Sequence, residues 1–176
     1  MKIIGEIYHK PGLLLHSRSV TREAVRGIIA EGTRLLMVYS ANVGDFKFPG
    51  GGILPGENHA AALMREFAEE LGADSIIIGE PFGAMIEYDQ PVEPDFDLFM
   101  MTSYYYWCRI GSSLGKQCLD DYEADLGFTP LWVEIADAIR QNRELLADSA
   151  RHAPRWVRRE LFVLERIAAL LQESKR

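Results

Sequence analysis

The chain has 176 residues, 48% of them hydrophobic, and a formal net charge of -7 at pH 7. A chain of this length buries about 70% of its unfolded surface in one core, so a single domain over 1–176 is expected. The negative balance argues against broad attraction to nucleic-acid backbones or anionic membranes, and no apolar run approaches the ~20 residues that span a bilayer. A small anionic substrate stays open, because a bound metal reverses the local field.

At the N-terminus, Gly5, Glu6, His9 and Lys10 interrupt the apolar pieces. The segment makes a poor signal peptide, and residues 3–9 read as a short strand. Residues 24–30 and 34–39 read as two strands around the Glu31-Gly32 turn, a hairpin signal. A glycine-rich turn, Gly50-Gly51-Gly52, then leads through Pro55 and Gly56 into a helix with Asn58 as N-cap and Gly72 as its left-handed C-cap. Residues 75–78 and 83–88 read as extended pieces separated by Pro81, and residues 89–97 as an acidic solvent loop. Residues 98–110 form a long aromatic strand, 111–125 a loop and 129–133 a last strand. Residues 134–142 and 154–173 are helical, the second with Trp156, Leu161, Leu164, Ile167, Ala168 and Leu170 on its apolar side. Strands and helices mixed in this order imply a sheet covered on both faces.

The helix after the glycine turn carries the chemistry. With Glu66 at zero, a repeat of 3.6 residues places Glu70 about 40° to one side and Glu69 about 60° to the other. Ala60, Leu63, Met64, Phe67 and Leu71 fall on a neighbouring arc that faces a core. Three carboxylates on one narrow face repel each other, and a hard divalent cation such as Mg²⁺ or Mn²⁺ is the natural counter-charge. A solvated acidic face is the bland alternative, and it leaves the surrounding pattern of Gly51, Glu57, Arg65 and Gly72 unexplained.

These residues, read together as GGILPGENHAAALMREFAEELGA, resemble the signature box of the Nudix hydrolases. Gly51, Glu57, Arg65, Glu66, Glu69, Glu70 and Gly72 occupy its fixed positions, and Lys47-Phe48-Pro49-Gly50 is similar to the usual lead-in. Ala73 stands where the family prefers a larger aliphatic residue. The resemblance implies a three-layer α/β/α sandwich with a mixed sheet. It also implies metal-dependent hydrolysis of a diphosphate bond in a nucleoside diphosphate linked to another group. Metal ligands implied are Glu66, Glu69, Glu70 and a main-chain carbonyl at Gly50 or Gly51. Glu57 and Arg65 form a structural pair tying the loop to the helix. The general base is Glu66 or Glu70 first, with Glu123 in the loop before the last strand as the second choice. Cofactor and substrate are then Mg²⁺ (or Mn²⁺) and a small nucleotide, with no nucleic-acid polymer; a homodimer is compatible with the sequence.

Two rival activities share the fold. A nucleotide-metabolite sensor of this family usually appends a DNA-binding domain, which the roughly 40 residues after Val133, read as two helices in a chain of negative overall charge, do not resemble. An isoprenoid diphosphate isomerase needs a cysteine near the box, and Cys108 and Cys118 lie well beyond it. These two cysteines, outside any CxxC, are expected as free thiols in the cytoplasm.

Other residues carry weaker signals. Arg22, Arg26 and Lys47 are candidates for holding a substrate phosphate, with solvated surface charge as the simpler reading of each. Tyr104 to Trp107 alternate across a strand, so half face the core and the outward half is a candidate for base stacking. His9, His16, His59 and His152 read as surface residues, Trp132 and Trp156 as core, and Glu87 or Asp95 as a distant additional ligand.

Overall fold

The structure is a computed structural model that describes residues 1–111 and 114–173. Its strands are β1 (Ile3–Tyr8), β2 (Ser19–Glu31), β3 (Arg34–Ser40), β4 (Asp45–Lys47), β5 (Ile76–Asp89), β6 (Leu98–Ile110) and β7 (Phe128–Glu134). The helices are α1 (His59–Leu71), α2 (Asp121–Leu126), α3 (Ile135–Ala147) and α4 (Trp156–Glu173). The strands join in the order β1-β5-β6-β2-β3-β4, with β7 on β3. Pairing is parallel for β1–β5 and β2–β6 and antiparallel for the others, so the sheet is mixed as expected.

Period-2 alternation sorts the core into two layers. Val25, Ile29, Leu36 and Val38 face α1, where they meet Ala62, Leu63, Phe67 and Leu71. Ile28, Leu35 and Met37 face the other way, onto Ile135 and Ala138 of α3 and Val163, Leu164 and Ile167 of α4. The result is the three-layer α/β/α sandwich. Gly27 lets α1 sit close to the sheet, because a Cβ there would lie 2.2 Å from the Phe67 ring.

Several boundaries differ from the sequence reading. The hairpin is present, but β2 starts at Ser19 because its first ten residues pair with β6. The two extended pieces around Pro81 are one strand, β5, whose register shifts on either side of the proline instead of breaking there. The loop expected over 111–125 contains α2, capped by Asp120; positions 112 and 113 of that loop lie outside the described residues. The short strand β4 and the full length of α3 were not anticipated.

Both helix faces also need correction. On α1 the core takes Ala62, Leu63, Phe67 and Leu71, whereas Met64 is 55% exposed and Ala60 is exposed. On α4 the buried set is Val157, Arg159, Glu160, Val163, Leu164 and Ile167, with Leu170 exposed. Among the described residues no helix is long and apolar enough to cross a membrane. Cys108 is buried, Cys118 is exposed and both are free.

The Gly27–Phe67 contact is testable. Gly27→Ala should lower unfolding free energy by about 1–3 kcal/mol, the usual cost of overpacking a dense core, read as a lower urea midpoint.

Candidate active site

The glycine turn is held against β2 as if it were a further strand. Gly27 and Val25 donate backbone N–H bonds to Pro49 and Gly51 carbonyls at 2.8 and 2.9 Å, and Ile53 donates to Glu23 at 3.0 Å. Gly50 adopts φ +127°, a conformation open to glycine, and a Cβ there would meet the Val25 carbonyl at 2.2 Å. Its N–H points across to α1 and donates to Glu70 Oε2 at 2.6 Å. Behind the turn, Phe48 N–H donates to buried Glu160 of α4 at 3.0 Å, and Asn142 of α3 both accepts from Phe46 N–H and donates to its carbonyl.

Arg65 organises the outer side of α1. Its guanidinium donates to both oxygens of Glu57 at 3.0 Å and to the Gly52 carbonyl at 2.8 Å. Glu57 in turn accepts from Leu54 N–H at 3.0 Å, so the pair ties the loop to the helix. The same guanidinium donates to Glu66 at 2.7 Å and Glu69 at 3.1 Å.

Glu66, Glu70 and Glu123 bring one carboxylate oxygen each within 4.8 Å of one another. Glu123 arrives on α2, where its carboxylate also completes a capping box by accepting the Asp120 N–H. The preceding loop is docked on the end of α1: Gln117 donates to the Glu70 carbonyl at 2.7 Å and Cys118 N–H to the Glu69 carbonyl at 2.8 Å. Burial raises all three carboxyls. Glu70 is pushed up to about 8 despite the pull of Lys47 and Arg26. Glu66 is raised although Arg65 opposes the shift, and Glu123 is raised by the same loss of solvent. An all-oxygen set of acids crowded out of water fits a hard divalent cation.

A cleft of about 350 Å³ opens beside this cluster on the α4 side of the sheet. Arg22 and Arg26 of β2, Lys47 of β4, and Arg155 and Trp156 at the start of α4 border it. Arg26 and Lys47 are 7% and 8% exposed, and both act electrostatically on Glu70. Arg26 also donates to the Gly50 carbonyl. Arg159 is buried on the same wall but is neutralised, donating to Glu87 at 2.6 Å and Glu160 at 2.7 Å.

A family model for the NUDIX domain matches residues 20–157. The chain belongs to the Nudix hydrolase family. Over 46 residues it is 46% identical to an RNA pyrophosphohydrolase from a Nitratiruptor species, a match that covers 26% of this chain. The matched stretch spans only 30% of that relative's length. A solved structure of a NUDIX hydrolase from Nitrosomonas europaea aligns with TM-score 0.52 at 20% identity, over 85% of this chain and 90% of that one, which supports the fold.

Against this Nudix frame, several site expectations shift. Glu69 does not join the acid cluster: its side chain is 37% exposed and bound to Arg65. Both carbonyls of that pair are engaged within the protein, Gly51 by Val25 N–H and Gly50 by Arg26, while the Gly50 N–H reaches the cluster at Glu70. Arg26 and Lys47 are not solvated surface charges; Arg22 is, paired with Glu93 at 3.2 Å. Glu87, offered as a distant ligand, is buried in β5 and paired with Arg159 and His9. The His9 side chain is only 7% exposed there instead of lying on the surface. His59 is half-buried, its ring 4.4 Å from that of Tyr104 and its Nδ1 2.7 Å from the Tyr106 hydroxyl. Tyr104 and Tyr106 therefore spend their faces at the start of α1, on the side of the sheet opposite the cleft. Trp132 and Trp156 are only partly buried, and Trp156 donates to Asp45 at 2.8 Å.

The α4 contribution was missed entirely. Glu160 lies at the spacing of Val163, Leu164 and Ile167, so a charge on the apolar stripe was its available signal.

Two outcomes follow from this geometry. A Cβ at position 51 would sit 2.3 Å from the Glu66 carboxylate, so Gly51→Ala should weaken Mn²⁺ binding by about tenfold or more in calorimetry. Burial alone would raise the Glu87 carboxyl, but Arg159 and His9 outweigh it and hold it below its ordinary range. A carboxyl depressed in the folded state stabilises above its unfolded value and loses that contribution as pH falls through the folded value. Glu87→Gln should therefore lower the melting temperature more at about pH 7 than at about pH 3.

Proposed function

We propose that this chain, 1–176 as one domain, is a cytoplasmic Mg²⁺-dependent hydrolase. The bond cut is a diphosphate link in a nucleoside diphosphate joined to a second group. The observation that carries the reading is the meeting of Glu66, Glu70 and Glu123 within 4.8 Å, beside a cleft bordered by cations. Glu66 and Glu70, with the second lone pair of the Gly50 carbonyl, are the groups that would hold the ion, and Glu123 stands beside them. When bound, Mg²⁺ neutralises phosphoryl oxygens and acidifies an attacking water.

The residues of the chain do the rest. Gly50 N–H fixes one oxygen of Glu70, and Arg65 fixes Glu66, so two acids keep their aim without reorganising. Glu123 is the least enclosed of the three and is the base we assign. It takes one proton from water as a new P–O bond forms and the bridging P–O bond breaks, giving two phosphorylated products. Arg26 and Lys47 face the negative charge of the substrate, with Arg22 at the rim. Glu69 keeps Arg65 in place.

Glu123→Gln separates the base from the fold, since glutamine also completes a capping box. It should lower kcat by about 10²–10⁴ with little change in KM, measured on a nucleotide panel with Mg²⁺. Glu70→Gln should be at least as severe while circular dichroism stays native. Unchanged turnover in both variants would sink the assignment.

A further inference from the structure

The cleft beside the acids has an unusual inventory. Its charged donors are Arg22, Arg26, Lys47, Arg155 and Arg159. Among the described residues no Asn, Gln, Ser or Thr stands on its walls, and its one carboxylate, Glu87, is already taken by Arg159 and His9. A nucleobase is recognised through donors and acceptors on its edge, amides above all. This cleft offers no free amide or carboxylate side chain with which to read one.

Its aromatic rings are also committed. Arg155 lies 4.8 Å from the centre of the Phe99 ring. Lys47 Nζ lies 5.5 Å from the Trp156 ring, and 4.0 Å from that of Phe128, a core residue that does not line the cleft. The rings thus support cationic heads instead of presenting open stacking faces. Tyr122, 56% exposed at the mouth, can stack on any base without distinguishing among them.

The two deepest cations have capacity to spare. Arg26 Nε is buried with no hydrogen-bond partner, and among the described residues no hydrogen bond or ion pair reaches the Lys47 ammonium. Burial and the neighbouring Arg26 disfavour that ammonium's charge while Glu70, Glu160 and Asp45 favour it, and an anion in the cleft would add to the favourable side. From this floor the cations continue outward to Arg155 and Arg22 at the rim, each paired with one part-buried acid, Asp89 or Glu93, but with its own guanidinium side exposed.

We infer that the cleft seats a phosphate chain extending beyond the diphosphate that is cut. The preferred substrates are then nucleotides with three or more consecutive phosphates, selected by phosphate number and not by base. The inference rests on the hydrolase reading above and names its substrate class.

The test has a kinetic arm and a binding arm. Wild-type protein with Mg²⁺ is given the 5′-diphosphates and 5′-triphosphates of adenosine, guanosine, cytidine and uridine, with ADP-ribose as a two-phosphate reference. Expected is a kcat/KM at least about tenfold higher for triphosphates than for diphosphates, and a spread among bases within about threefold. In the binding arm, Glu70→Gln protein is titrated calorimetrically with pyrophosphate and with tripolyphosphate in Mg²⁺. Tripolyphosphate should bind about tenfold tighter, and adding Lys47→Met should remove most of that difference. If Lys47→Met does not fold, Arg22→Ala at the exposed rim should shrink the same ratio by a smaller factor. Equal binding of the two anions, a base preference above about tenfold, or a preference for ADP-ribose overturns the inference. A wild type that cleaves nothing yet keeps the binding ladder overturns the hydrolase reading and leaves the cleft assignment standing.

Discussion

One hydrogen bond joins the two halves of the site: Gly50 N–H to the buried carboxylate of Glu70. For it to form, residue 50 must take a conformation that only glycine adopts easily, and the turn must already be laced to β2. The carboxylate must also be held in a place where burial drives it toward its protonated form. Each requirement is met by a different layer of the sandwich. β2 supplies the ladder, α1 the acid, and α3 and α4 brace the peptide from behind through Asn142 and Glu160. Stability and chemistry pull in opposite directions here, because the acids that make a cation site are the groups the core least tolerates.

Much of this was readable from the residues. The glycines, the Arg-Glu pair and the spacing of acids on α1 follow from local geometry, and local geometry is what a sequence displays. Asn58 and Gly72 cap α1 as their side-chain chemistry dictates, with Asn58 accepting from Ala61 N–H and Gly72 at φ +62°. The strand over 98–110 was equally plain, since aromatic and β-branched residues run without a breaker. What escaped were features fixed by partners distant in the chain. Pro81 looks like a break in isolation, but pairing with β6 on both sides keeps β5 continuous.

The division of labour among the glutamates escaped for a related reason. Helical spacing places Glu66, Glu69 and Glu70 together, yet it cannot show that Arg65 draws Glu69 aside while α2 delivers Glu123 in its stead. Likewise the cations of β2 and β4 look like surface charge until the far helix closes over them. Arg159 and Glu160 are where an amphipathic reading fails, and they fail together. A charged pair occupies a stripe that would be better packed by leucines, and it binds both β5 and the lead-in to the glycine turn.

The order in which these pieces leave the ribosome has its own consequence. The parallel pairs join β1 to β5 and β2 to β6, partners about eighty residues apart, and such closures form late. The last walls of the cleft, Arg155, Trp156 and Arg159, follow every strand in the order of synthesis. A nascent chain therefore carries its acids, α1 first and α2 later, before the far wall of the cleft exists. The cleft is closed only when α4, made after every strand, docks on the sheet.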